Sequence, residues 1–260
     1  MLKTLAATRY VTPLREGGSL PAIVEAEDGA LYVMKFVGAG QGAKALTAEV
    51  LAGAVALRLG LDVPDMVLLT LDPAFGRNER HQEIQDLLRA SEGINLGFRY
   101  LPGAYSYNVL LQPPVADELA SRIVWFDAYV TNVDRTPRNV NLLLAEKRLW
   151  LIDHGAALYF HHSWDDVGLR AATPFSLVRE HTLLPFASRL REQDEPLRAL
   201  LDDATLEEIV MLPPDAWLER EHRVATPAEQ RLIYREFLTL RRDASAIFVE
   251  EAANAHASLL

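Results

Sequence analysis

Residues 132–144 read NVDRTPRNVNLLL, and residues 151–155 read LIDHG. Asp134 and Asn139 are spaced as D-x-x-x-x-N in the first stretch, and Asp153 opens a D-x-G in the second. The amide oxygen of Asn139 and the carboxylate of Asp153 suit a hard cation such as Mg2+, which takes few protein ligands and shares its shell with phosphate oxygens. Asp134 would then be left to orient a hydroxyl and accept its proton. Earlier, Lys35 lies in YVMKF, and Glu49 lies in the Ala- and Leu-rich run after it. A strand lysine held by a helix carboxylate presents a fixed positive charge to phosphates. Gly17, Gly18 and Ser19, in REGGSLP, offer backbone N–H groups and a hydroxyl to the same kind of anion.

These residues need elements to aim them. AIVEAEDGALYVMKF is two β-type runs joined at Asp28-Gly29, a strong hairpin signal. The period of two puts Lys35 on the face opposite Met34 and Phe36. Residues 43–59 have helical spacing, with Gly60 as a stop and Pro64 beyond it. Residues 66–71 and 94–101 are strand-like, and 76–92 is charged, a loop or short helix. YLPGAYS, at 100–106, is the best boundary and divides the chain into 1–103 and 104–260. Residues 115–130 then read as a helix, and 141–144 with 148–152 as a hairpin turning through Glu146-Lys147. The remainder reads as helices at 175–191, 195–201, 205–211 and 227–257. The class is α+β: a β-rich front with one main helix, then a mostly helical back. A loop between a helix and a hairpin can aim Asp134 and Asn139 at one point, and the hairpin returns Asp153 beside them. Asp153 closes the apolar strand LWLI, where a carboxylate needs a partner.

At 260 residues the chain is long enough for a substantial core. A net charge of -10 gives no general attraction for nucleic acid or anionic lipid. With no cysteine, thiolate zinc sites and disulfides are excluded. The first residues lack a continuous apolar core of signal-peptide length, and Arg58, Asp62, Pro64 and Asp65 interrupt the most apolar region. The expectation is a soluble, cytoplasmic protein with no membrane or nucleic-acid partner.

The order of parts is a Gly-rich turn, strand Lys, helix Glu, linker, helix, D-x-x-x-x-N, hairpin and D-x-G. That order resembles the protein-kinase-like superfamily. Lys35 in VMK, Glu49 in TAEVLAGAVALRLGLDVP, NVDRTPRNVNLLL and LIDHG look most like the compact, single-chain branch of the HipA-like kinases. The resemblance spans roughly 15–190 and implies a two-lobed fold with ATP and Mg2+ as cofactors. By resemblance, Asp134 is the catalytic base, Asn139 and Asp153 are metal ligands, and Lys35, held by Glu49, binds phosphate. Gly17, Gly18 and Ser19 line the phosphates. Residues 98–104, with Phe98, Tyr100 and Leu101, form the hinge under the adenine. The implied acceptor is a protein Ser/Thr; the alternatives are a small-molecule hydroxyl, AMP transfer to protein, or a non-catalytic nucleotide-binding module. The chain departs from the protein-kinase pattern in four places. GGS stands for the usual glycine loop, His154 replaces the Phe of D-F-G, Thr136 replaces a lysine, and no A-P-E follows. Arg138, or Arg135, would neutralise the transferring phosphoryl group instead. The chain is shorter than toxin-type relatives, so an antitoxin-type partner is left open without being indicated.

Two other groups have plainer readings. FHHSWDD, at 160–166, could hold a transition metal, but adjacent side chains point apart, and a surface loop is expected. Trp125, Phe126 and Tyr129 are expected in the core. ERHQEIQ (79–85) and LREQDE (190–195) are expected to be solvated faces.

Overall fold

A computed structural model describes residues 1–14, 20–40, 42–75, 81–110, 114–220 and 226–259. Five strands, β1 (Lys3–Pro13), β2 (Ala22–Ala26), β3 (Leu31–Lys35), β4 (Met66–Leu71) and β5 (Gly93–Arg99), close into a barrel in the order β1-β2-β3-β5-β4. β1 closes it by pairing antiparallel with β2 and parallel with β4. The period of two sends Ala22, Val24 and Ala26 of β2 inward, where they meet Leu5, Met34, Phe36 and Leu69 in an apolar interior. The β2–β3 turn is the one expected at Asp28-Gly29. Gly29 has φ +75°, and Asp28 Oδ1 accepts from the Ala30 N–H at 3.0 Å.

Helix α1 (Gly42–Arg58) ends in a Schellman motif. Gly60 takes φ +73°, its N–H donates to the Leu57 carbonyl, and Leu61 N–H donates to the Ala56 carbonyl. The buried face of α1, with Val50, Val55 and Leu59, shares a large core with Leu68, Leu96 and Phe98 of the barrel. That core continues through Trp125, Phe126, Leu151, Trp217 and Phe248. So α1 is anchored both to the barrel and to the helical part of the chain.

The charged stretch after β4 contains α2 (Gln82–Ala90). Helix α3 (Asp117–Tyr129) carries Trp125, Phe126 and Tyr129, all fully buried as expected. β7 (Leu142–Ala145) and β8 (Arg148–Leu151) form the second hairpin, to which β6 (Tyr105–Ser106) adds a third strand. Its turn residues, Glu146 and Lys147, both have positive φ, as a two-residue turn matching strand twist requires. Then come α4 (Val167–Ala171), α5 (Leu190–Ala199), α6 (Asp203–Val210), α7 (Asp215–Leu218), α8 (Pro227–Asp243) and α9 (Ser245–Ala257). Helix α8 opens with an N-cap: Thr226 Oγ1 accepts from Glu229 N–H, and Pro227 begins the helix. None of the described helices is long and apolar enough to cross a membrane.

Three readings of the helical part need correction. Residues 175–191 are not one helix but two short 3-10 turns, Ser176–Glu180 and Leu184–Phe186, before α5 begins. Their apolar residues fit a helical period, yet Phe175 with φ +55° and Pro185 break it. Residues 227–257 are two helices, broken at Ala244. Phe160 and His161 do not lie in a surface loop: they are buried in a 3-10 turn, Phe160 stacked on Phe237 and His161 bonded to the Tyr234 hydroxyl at 2.9 Å. No metal-binding group of three His, Cys, Asp or Glu forms among the described residues.

Buried Arg241 ties the helices together. It donates to the carbonyls of Ala128, Tyr129, Ala171 and Thr173 and lies over the Phe248 ring. Two of those carbonyls belong to the last turn of α3, where a cation satisfies groups the helix leaves unpaired.

Burial pushes the His161 imidazole down to about 3, helped by the charges of His162 and Lys44. A base depressed on folding is neutral in both states above its unfolded value near 6.5. Below that value only the unfolded chain takes up the proton. Stability therefore falls by up to about 1.4 kcal/mol per pH unit as pH drops from near 6.5 towards 3. Urea midpoints measured from pH 7.5 to 5 should show this loss, and His161→Gln, which keeps an acceptor for Tyr234, should make it smaller, leaving the share that buried His154, also held near 3, contributes.

Candidate active site

The site is built where the end of β3, the second turn of α1 and the residues after β8 meet. Lys35 leaves β3 on the face opposite buried Met34 and Phe36, as the strand period requires. Its Nζ donates to Glu49 Oε1 and, at 2.6 Å, to Asp153 Oδ1. Glu49 is only 1% exposed, unlike a typical solvated helix glutamate. Its second oxygen, Oε2, accepts the His154 backbone N–H at 2.9 Å. Asp153 is half-exposed and has φ +57°, a left-handed turn that lifts the chain off β8. Burial works against the Lys35 charge, but Glu49 and Asp153 outweigh it and raise the ammonium above its ordinary value. Burial also pushes Glu49 upward against the pull of Lys35. For Asp153, burial raises and Lys35 lowers, and Lys35 prevails. Gly155 suits a close approach, since a Cβ there would come 3.2 Å from Glu49 Oε1, tighter than ordinary contact.

A second group forms on the loop after α3. Asn139 Nδ2 donates to Asp134 Oδ2 at 2.7 Å, and Asn141 Nδ2 lies 3.4 Å from the same oxygen. Asn132 Oδ1 accepts the Asp134 N–H at 3.2 Å, and Thr136 and Asn139 close a small backbone turn. Arg138 is exposed at the loop tip.

Beneath this loop lies a buried polar knot. Arg135, at 1% exposure, donates from Nε to Asp127 Oδ2 at 2.6 Å and from Nη1 to the Asn141 carbonyl. Its Nη2 meets His154 Nδ1 at 3.2 Å. Because guanidinium only donates, that His154 nitrogen must be the acceptor. Burial, then the Arg135 charge, depress His154 to about 3, which keeps the ring neutral. Asp127 also accepts from Asn132 Nδ2 and from His181 Nε2 at 2.9 Å. Burial opposes the Asp127 charge, but Arg135 and His181 prevail and hold the carboxyl well below the usual range. Arg135 is thus committed inside the fold, and the exposed Arg138 is the arginine the loop leaves facing outward.

Among the adenine-side expectations, Phe98 is buried with its ring under Lys35, 5.7 Å from Nζ. Tyr100 and Leu101 are half-buried in the connection after β5, and Tyr100 N–H donates to the Leu31 carbonyl. Gly17, Gly18 and Ser19 lie outside the described residues. The donor chemistry fits a hard cation. Asp153 has an outward-facing carboxylate, and Asn139 commits its nitrogen to Asp134 while its oxygen stays available.

This pairing of Lys35 with Glu49 and Asp153, across 14 and 118 residues of chain, agrees with a family match over residues 8–249. The chain belongs to the HipA-like kinase family. The HipA-like chain is also similar to the crystal structure of a Helicobacter pylori proinflammatory kinase, CtkA. The TM-score is 0.54 at 12% identity, covering 100% of this chain and 99% of that one. At that identity the likeness speaks for the fold alone, a mixed α+β kinase-like architecture. No curated protein matches the chain.

Sequence reasoning missed Asp127, Asn141, His154 and His181 as parts of one network. Asp127 had a readable signal, a lone carboxylate in the apolar run VWFDAYV. His181 had none, because its partner is 54 residues away.

Replacing Asp127 with Ala strands the Arg135 charge in the interior. We expect a loss of about 3–5 kcal/mol, read as a lower melting temperature and urea midpoint. A variant as stable as the parent would show that the pair is not what holds the loop.

Proposed function

We propose that this chain is an ATP- and Mg2+-dependent kinase that transfers the γ-phosphoryl group to a hydroxyl, that of a protein Ser/Thr. The carrying observation is the Lys35 ammonium held between buried Glu49 and outward-facing Asp153. In this reading residues 1–103 and 104–260 act as two lobes with the nucleotide between them, its adenine beside Phe98, Tyr100 and Leu101. Gly17, Gly18 and Ser19 complete the phosphate side. Asn139 and Asp153 hold Mg2+, which when bound neutralises phosphate charge. Lys35 fixes the phosphates, its position set by Glu49. Asp134 orients the acceptor hydroxyl and takes its proton on a carboxylate oxygen. Arg138, at the exposed loop tip, faces the charge of the group in transit. Catalysis is then mostly positioning and electrostatics. The protein-hydroxyl assignment rests on the family, and the acceptor is what experiment must fix.

Asp153→Ala is expected to abolish or greatly weaken Mg-ATP binding in calorimetric titration; parent-like binding would remove Asp153 from the metal site. Asp134→Ala should keep nucleotide binding and lose phosphoryl transfer, and unchanged turnover would remove Asp134 from the mechanism. Incubation with γ- and α-labelled ATP, alone and with host lysate, tests the acceptor. Label from γ in protein supports the reading. Label from γ in small molecules, or from α in protein, replaces it with a small-molecule kinase or an AMP transferase. Nucleotide binding without any transfer would make the fold a binding module.

A further inference from the structure

Asn141 lies inside the stretch NVDRTPRNVNLLL, where the sequence reads it as the first residue of the hairpin. Its surroundings are those of a joint. It has φ +50°, a conformation that asparagine and glycine tolerate and other side chains resist. It is 9% exposed. Its side-chain Nδ2 lies 3.3 Å from the Asp134 carbonyl and 3.4 Å from Asp134 Oδ2. Its backbone carbonyl accepts from Arg135 Nη1 and from the Ile152 N–H at 3.1 Å. Ile152 directly precedes Asp153. One residue therefore touches Asp134 with its side chain, and with its backbone both the buried Arg135 and the strand end that carries Asp153.

We propose that Asn141 is a positioning residue for phosphoryl transfer: its amide sets the Asp134 carboxylate relative to the segment that carries Asp153. This rests on Asp134 serving as the base. The carboxylate of Asp134 has two oxygens. Asn139 and Asn141 both approach Oδ2, so the two amides leave Oδ1 as the oxygen turned to an acceptor hydroxyl. Asn139 lies at the exposed loop tip and also offers an oxygen to the metal site. Asn141 stays buried and is anchored at its carbonyl, so it keeps the carboxylate oriented when Asn139 turns. The left-handed backbone is what lets one residue do both, because it turns side chain and carbonyl towards different partners.

The geometry separates side chain from backbone experimentally. Asn141→Gly keeps the left-handed φ and the carbonyl while deleting the amide. Asn141→Ala deletes the amide and strains the backbone as well. Four quantities are read on the full chain: kcat, KM for ATP, Mg-ATP binding by calorimetry, and melting temperature. Asn141→Gly should lower kcat about tenfold or more, with KM for ATP, nucleotide binding and melting temperature near parent values. Asn141→Ala should lose the same kcat and also melt lower. In an Asp134→Asn background, Asn141→Gly should add no further loss, because the amide then has no carboxylate to set. Parent-like kcat in Asn141→Gly, or an additive loss in the double variant, overturns the proposal. Full turnover in Asp134→Asn alone would instead overturn the assignment of Asp134 as base.

Discussion

The site depends on one buried ion pair, Arg135 with Asp127. Placing two charges at near-zero exposure is costly unless every donor and acceptor around them is met. Here the two charges are met by Asn132, His181, His154 and the Asn141 carbonyl, while the other His154 ring nitrogen, Nε2, is buried without a hydrogen-bond partner. Each of those partners comes from a different piece of the site: the loop after α3, the 3-10 turn region before α5, the D-x-G segment and the approach to β7. Thr182 N–H also donates to the Arg135 carbonyl. The loop that carries Asp134 is therefore tied from below rather than by its own exposed tip. His154 extends the same tie across the molecule, since its ring meets Arg135 while its backbone N–H meets Glu49 on α1. The ring that makes this tie is a neutral imidazole packed edge-on against Phe126.

Much of the architecture was legible because its signals are local. Asp28-Gly29, Gly60 and the apolar alternation of β2 each fix a conformation within a few residues, and the structure places them as read. The strand period likewise places Lys35 opposite Met34 and Phe36, where it meets Glu49. The long strand β1 was harder. Its partners are β2 and, through a parallel pairing, β4, and a mixed pattern of exposed and half-buried residues carries no clean alternation. The stretch 175–191 misled because apolar residues at helical spacing also suit two short turns packed on a core. The buried state of His161 follows from Tyr234, 73 residues away, and no window of sequence contains both.

The Gly of D-x-G has a simple physical meaning here. Its α-carbon faces α1, so a Cβ there would come within 3.2 Å of Glu49 Oε1, tighter than ordinary contact, while reaching Ala45 Cβ at a normal 3.5 Å. A side chain at this position would press on the carboxylate that holds Lys35, on the same segment that carries Asp153.

The parallel β1–β4 pairing has a consequence for how the chain acquires its shape. A barrel ordered β1-β2-β3-β5-β4 can be sealed only after β5 has inserted between β3 and β4. β1 is made first, yet one of its two neighbours is fixed only when residues near Arg99 are in place. Closure thus depends on contacts of long sequence separation, whose loop entropy must be met before the ladder rewards it. Until then β1 presents an unpaired edge, which can pair wrongly during synthesis. The hairpin β2–β3, which delivers Lys35, is by contrast local and can form early.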